Sequence, residues 1–145
     1  MLRTICIATS VALLSACAQQ PMNTVDGPVT KPEAAQGQQW QWVGKTSERE
    51  RLEVAQPEQY TLEFQPDGRV LARFDCNRGN GRYEIGDGTL AFGAIATTRM
   101  ACLPGSLDTT LMQALDRVEG FRVEGGQLYL QLADDAGTLR FRPAP

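Results

Sequence analysis

The chain has no histidine anywhere in its 145 residues. That absence removes the side chain whose unperturbed pKa lies nearest neutrality, and with it the commonest metal ligand. Serine-histidine, cysteine-histidine and histidine-zinc chemistries are excluded. An enzyme built on this chain would have to use paired carboxylates, a lysine or a bare cysteine thiolate. A basic excess is also missing, since the formal net charge is -3. Nucleic-acid binding rests on lysines and arginines that neutralise phosphates, so no nucleic-acid partner is expected. No internal repeat and no apolar run long enough to span a bilayer is visible. The length suits a single domain with its own core.

What is present begins with an address. Met1-Leu2-Arg3 is a short positive start, and Ile5 to Leu14 is an apolar stretch broken only by small polar residues. That is the length of a signal-peptide core. It ends in Leu14-Ser15-Ala16-Cys17, which resembles a bacterial lipobox. The expectation is a signal peptide over residues 1–16 and lipidation of Cys17, so the membrane is a partner through a lipid anchor. The competing reading is a plain secretory signal with Cys17 incidental. Ala18 and Gln19 follow without an aspartate, a pattern that resembles outer-membrane lipoproteins. Residues 17–38 have no hydrophobic period and carry Pro21, Pro28 and Pro32, so they read as a flexible tether. The folded domain is then 39–145.

Within it, Trp40 and Trp42 alternate with Gln39 and Gln41 as the first strand. Ser47 to Gln59 is charged and reads as a solvated loop or short helix. Tyr60, Leu62 and Phe64, a turn at Pro66-Asp67-Gly68, then Val70, Ala72 and Phe74 form a hairpin pattern, with Arg69 and Arg73 outward. Tyr83 and Ile85, Gly86-Asp87-Gly88, then Leu90 and Phe92 repeat it. Leu107, Leu111, Ala114, Leu115 and Val118 fall at helical spacing. Ser106 or Asp108 is expected to cap this helix, and Gly120 to end it. Phe121 and Val123, Leu128 to Leu132, and Leu139 and Phe141 are the last strands, with Gln127, Tyr129 and Gln131 on the outer face. The fold class is α+β: a small, mostly antiparallel β domain, curled or barrel-like, with one amphipathic helix packed on it.

Two runs stand out in the middle, Cys76-Asn77-Arg78 with Gly81 and Tyr83, and Ala96-Thr97-Thr98-Arg99-Met100-Ala101-Cys102. Together with Asp67-Gly68-Arg69-Val70, Leu90-Ala91-Phe92-Gly93 and Leu128-Tyr129-Leu130 they resemble the META domain of HslJ-like heat-shock lipoproteins. The resemblance covers about Gln39 to Arg142. It implies a compact, mostly β domain in the bacterial envelope, tied to stress tolerance, without established catalytic residues. The family commonly has glycine before the first cysteine, where this chain has Asp75.

In an oxidising compartment Cys76 and Cys102 are expected to form a disulfide, with a redox or nucleophilic thiol as the alternative. The bond would fix Asn77 to Gly81 as a tight loop. No metal and no cofactor is expected, because two thiolates leave a zinc tetrahedron unfilled. Asn77, Arg78, Arg82 and Arg99 are the candidate binding residues, since guanidinium forks suit carboxylates and phosphates. The bland alternative pairs these arginines with Asp75, Glu84 and Asp87. Met100 and Thr97-Thr98 are read as core, with a small apolar groove as the other option. Asp134-Asp135 reads as a turn rather than a catalytic pair. The expected function is a non-enzymatic outer-membrane lipoprotein, its domain facing the periplasm, that binds an envelope protein or peptide during stress. The alternative is a lysozyme-inhibitor type lipoprotein that blocks an enzyme cleft.

Overall fold

The computed structural model describes residues 27–145; the expected signal peptide, the expected lipidation site Cys17 and the start of the expected tether lie outside them. Among the described residues there are ten strands and one α-helix: β1 (Gln39–Thr46), β2 (Arg51–Glu53), β3 (Tyr60–Phe64), β4 (Arg69–Phe74), β5 (Asn77–Ile85), β6 (Leu90–Phe92), β7 (Ala96–Thr97), α1 (Asp108–Leu115), β8 (Val118–Glu124), β9 (Gln127–Leu132) and β10 (Thr138–Pro143). The strands run antiparallel in the order β6-β5-β4-β3-β1-β10-β9-β8, with β2 on β1 and β7 on β5. A bridge between Thr89 and Gly120 brings the two ends together, so the sheet is a nearly closed barrel. The α+β class holds.

Alternation decides what fills the barrel. Trp40, Trp42, Leu62, Phe64, Val70, Phe74, Leu128, Leu130, Leu139 and Phe141 all point inward and are buried. Each contributes on the order of 1.5–3 kcal/mol relative to exposure. The buried indole N–H groups need acceptors, and they donate to the carbonyls of Ala35 and Gly44, each at 2.8 Å. Leu111 and Leu115 of α1 join the same core.

The helix is placed as its period indicates, but its limits differ: Leu107 holds the N-cap position without a side-chain cap, so neither Ser106 nor Asp108 caps it as expected. The Ser106 hydroxyl accepts from the Asp108 N–H at 3.3 Å, while the Leu107 N–H donates to the Tyr60 hydroxyl at 2.9 Å and ties the helix start to β3. The helix ends at Leu115, and Gly120 does not terminate it. Gly120 is buried in β8, where an added Cβ would sit 3.0 Å from the Gly88 carbonyl oxygen. A close strand approach, not a helix end, requires the glycine.

Two further boundaries are corrected. The loop expected over Asn77 to Gly81 is the first half of β5. The tether does not run unstructured to Gln38. Val29 bridges to Val123, Pro32–Ala34 forms a 3-10 turn, Ala35 is fully buried and the Gly37 N–H donates to Phe64 at 3.1 Å. Isolated bridges and a single tight turn have no hydrophobic period, which is why the stretch reads as linker. By the strand registers, this segment crosses the same barrel end as the C-terminus. The turn at Asp75–Cys76, residues 98–107 and α1 lie at the opposite end.

Candidate functional site

The site starts from the two-residue connection between β4 and β5. Phe74 pairs with Asn77, leaving Asp75 and Cys76 as the turn, and Asp75 has φ 56°. Positive φ at the first turn residue alone is the pattern that ordinarily takes glycine there. Cys76 is bonded to Cys102, with Cα atoms 5.6 Å apart. The bond pins residues 98–102 across the turn.

Asn77 completes the attachment. It is 3 % exposed, and its amide oxygen accepts from the Met100 N–H at 2.8 Å and the Thr98 hydroxyl at 2.9 Å. The amide nitrogen donates to the Met100 carbonyl at 3.1 Å. Its polar atoms are thus engaged inside the chain, so Asn77 positions the loop and offers nothing to a ligand. Arg78, next in the strand, faces out.

With residues 98–102 held there, Ala96–Thr97 is drawn alongside β5 as β7, pairing Gly79 with Thr97 and Asn80 with Ala96. The two glycines of β5 make this possible. A Cβ at Gly79 would lie 2.9 Å from Ile95 and Phe74 side-chain carbons, and one at Gly81 would lie 2.9 Å from the Ala94 carbonyl oxygen. Any larger residue at either position would displace the segment before β7.

On the outer face, strand register arranges three cross-strand pairs of β4 and β5: Arg73 opposite Arg78, Leu71 opposite Asn80, and Arg69 opposite Arg82. Like charges directly opposite one another are destabilising. The structure relieves each of the two arginine pairs by tying back its β4 member. Arg69 pairs with Asp67 at 2.7 Å, and Arg73 donates to the carbonyls of Asp75 at 3.0 Å and Glu58 at 3.4 Å. The Arg69 hydrogen bond holds the Asp67 carboxyl below its ordinary pKa, with a smaller electrostatic pull from Arg82.

The β5 members are left open. Among the described residues Arg78, Arg82 and Arg99 form no ion pair, and Asp87 pairs instead with Lys31 at 3.8 Å. The bland alternative, in which Asp75, Glu84 and Asp87 neutralise these arginines, is not what the fold builds. Leu71, Ala72, Arg78, Gly79, Asn80, Ala96, Thr97 and Thr98 line an open groove of about 550 Å³. Arg82 stands at the next outward position beyond Asn80, and Arg99 directly follows Thr98.

Met100 is 60 % exposed, and Thr97 and Thr98 line the groove, so none of the three is core. Pinning by Cys102 and Asn77 carries this loop over the surface, not into the barrel. Leu71 and Asn80 were not singled out from the sequence. The available signal was an apolar residue at an outward position, Leu71 between Arg69 and Arg73. Asp134 and Asp135 lie in a turn with φ 55° and 52°, and Asp134 pairs with Arg117 at 3.4 Å. Tyr129 is half-buried beneath the Arg122 guanidinium, 4.3 Å from the ring centre. Among the described residues no group of three or more Cys, Asp and Glu side chains is arranged to hold a metal.

A nearly closed antiparallel barrel with one helix and a disulfide beside its cationic face defines a class of small stapled β domains. Within that class the chain belongs to the META domain family, which matches residues 33–145. Three solved structures share the fold. A protein from Burkholderia xenovorans is 23 % identical with a TM-score of 0.67, covering 99 % of each chain. A DUF4847 family protein from Bacteroides vulgatus is 12 % identical with a TM-score of 0.59, covering 76 % of this chain and 94 % of that one. A further solved chain is 23 % identical with a TM-score of 0.58, covering 77 % of this chain and 93 % of that one. No curated protein matches.

Proposed function

We propose that the chain is a lipid-anchored, non-enzymatic binding module of the bacterial outer membrane, facing the periplasm and acting in envelope stress. Support for the anchor is the sequence Leu14-Ser15-Ala16-Cys17, and support for the setting is the family. The observation that carries the binding role is the groove itself. In a chain of net charge -3 it sets the unpaired Arg78 against exposed Leu71, with Arg82 and Arg99 nearby. Unpaired guanidinium beside apolar surface is suited to recognising a carboxylate or phosphate on an otherwise neutral ligand.

The test is in-cell crosslinking from a photoreactive residue at Asn80. Capture of one envelope component that disappears with Arg78→Gln is expected. Capture indistinguishable from a crosslinker on the far wall at Gln131 would refute the binding role. Lipidation is tested separately, by loss of fatty-acid labelling in Cys17→Ala.

One observation favours the cleft-blocking alternative. Met100 and Leu103 are 60 % and 83 % exposed on the stapled segment at the barrel end opposite the chain's entry. A rigid apolar protrusion of that kind is the shape that plugs an enzyme cleft. The purified protein would then slow lysozyme turnover, and Leu103→Asp would abolish the effect.

A further inference from the structure

We infer that the β4-β5-β7 face is a track for an extended acidic peptide of a partner protein, with carboxylates four residues apart seated on Arg78 and Arg82. This rests on the binding role proposed above and names its ligand class. Arg78 and Arg82 share one face of one strand, so their Cα atoms are about 13 Å apart at about 3.3 Å per residue. An extended ligand has the same rise, so its side chains at positions i and i+4 meet the two guanidiniums. In a helical ligand the same two positions would be only about 6 Å apart.

Between the arginines the track changes character. Asn80 lies midway and presents both a donor and an acceptor, flanked by Leu71 on β4 and Ala96 on β7. The peptide residue between the two acids is therefore apolar. Glu63, paired with Leu71 across β3 and β4, places a carboxyl beside that middle position and disfavours a third acid there. Charge complementarity also explains why the opposed arginines are tolerated. The β4 member of each pair is already held by Asp67, or by the Asp75 and Glu58 carbonyls, so an incoming carboxylate meets the guanidinium of the β5 member, with Asp67 near enough to Arg82 to make Arg78 the stronger of the two seats. The face carries an open groove with a single exposed leucine, which a flat headgroup layer would touch but not fill.

The experiment uses the full chain purified from membranes in neutral detergent and fluorescein-labelled peptides read by anisotropy. One peptide carries Glu-Thr-Leu-Thr-Glu, and its isomer Thr-Glu-Leu-Glu-Thr has the same composition with the acids two residues apart. The first is expected to bind at least about fivefold more tightly. Arg78→Gln and Arg82→Gln are each expected to weaken it by about threefold to tenfold, while Arg51→Gln leaves it unchanged. Binding should fade by about 0.5 M salt. Equal affinity for the two isomers overturns the inference, as does indifference to Arg78→Gln. Failure of both peptides alongside an Arg78-dependent crosslink from Asn80 in cells overturns the peptide class and leaves the binding role standing. Preferential binding of a bis-phosphorylated glycolipid micelle has the same consequence.

Discussion

Replacing Asn77 with alanine should do more damage than its single small side chain suggests. Four hydrogen bonds are lost: from the Met100 N–H at 2.8 Å, from the Thr98 hydroxyl at 2.9 Å, to the Met100 carbonyl at 3.1 Å and a weak one to the Cys102 sulfur at 3.4 Å. Net values of about 1 kcal/mol per bond set a total of about 2–3 kcal/mol. The full penalty for orphaned buried groups does not apply, because Met100 is 60 % exposed and water reaches its backbone once the loop loosens. Guanidinium denaturation followed through the Trp40 and Trp42 fluorescence reads the loss, since both indoles sit in the core. A second readout is the rate at which dithiothreitol reduces the Cys76–Cys102 bond, which should rise as residues 98–102 detach. Asn77→Asp separates hydrogen bonding from volume. Its carboxylate keeps the acceptor but faces the Met100 carbonyl without a donor, so it should be less stable at neutral pH and partly restored in mild acid. An Asn77→Ala protein within about 0.5 kcal/mol of the parent, with unchanged reducibility, would refute the assignment of Asn77 as the clip.

Three other perturbations have equally definite outcomes. Cys76→Ser with Cys102→Ser opens a loop of sequence separation 26 and should cost about 3.5 kcal/mol on the chain-entropy account; equal denaturation midpoints for oxidised parent and variant would contradict it. Asp75→Gly should stabilise by about 0.5–1 kcal/mol in the same assay, because φ 56° is strained for a side chain and free for glycine; a loss of stability would mean that the Asp75 carboxyl contributes something the geometry does not display. Tyr83 is buried, which raises its pKa above the ordinary 10.0, while the Gln36 hydrogen bond opposes the shift. The folded state favours the neutral phenol. Its stabilisation is therefore complete below pH 10.0 and lost as pH rises through the higher folded value. Unfolding free energy should fall more steeply on the alkaline side in the parent than in Tyr83→Phe, and parallel slopes would count against the burial argument.

The barrel was legible wherever apolar and polar residues alternate along a strand, even where the polar Gln41 and Thr61 are themselves buried. Trp40 and Trp42, Leu62 and Phe64, and Leu128 and Leu130 announce themselves by period two, and all six are buried. The helix was legible from Leu111 and Leu115, though not its end, because Gly120 carries a glycine's turn signal in the service of strand packing. The first half of β5 was illegible for a related reason. Asn77, Gly79 and Gly81 have low strand propensity, and their suitability appears only once Met100 and Thr98 bond Asn77 and Ile95, Ala94 and Thr97 lie against the two glycines. Short β7 has no period of its own; two residues cannot show one. The groove depends on register between three strands, and a sequence read one segment at a time does not contain register.

The same alternation separates scaffold from proposed recognition within Cys76-Asn77-Arg78. Cys76 and Asn77 are spent on attaching residues 98–102, and that attachment lays β7 beside β5. Arg78, one residue later, points the opposite way and is free. Substitutions at Cys76, Asn77, Gly79, Gly81 and Cys102 should therefore alter stability and groove shape for any ligand. Substitutions at Leu71, Arg78, Asn80 and Arg82 should alter which ligand is chosen while leaving the fold intact. In this chain the Cys-Asn and Thr-Arg-Met-Ala-Cys runs consequently build the groove. On the proposed binding role, the chemistry the groove would read is set at outward strand positions, where a barrel of this kind can change residues without disturbing its core.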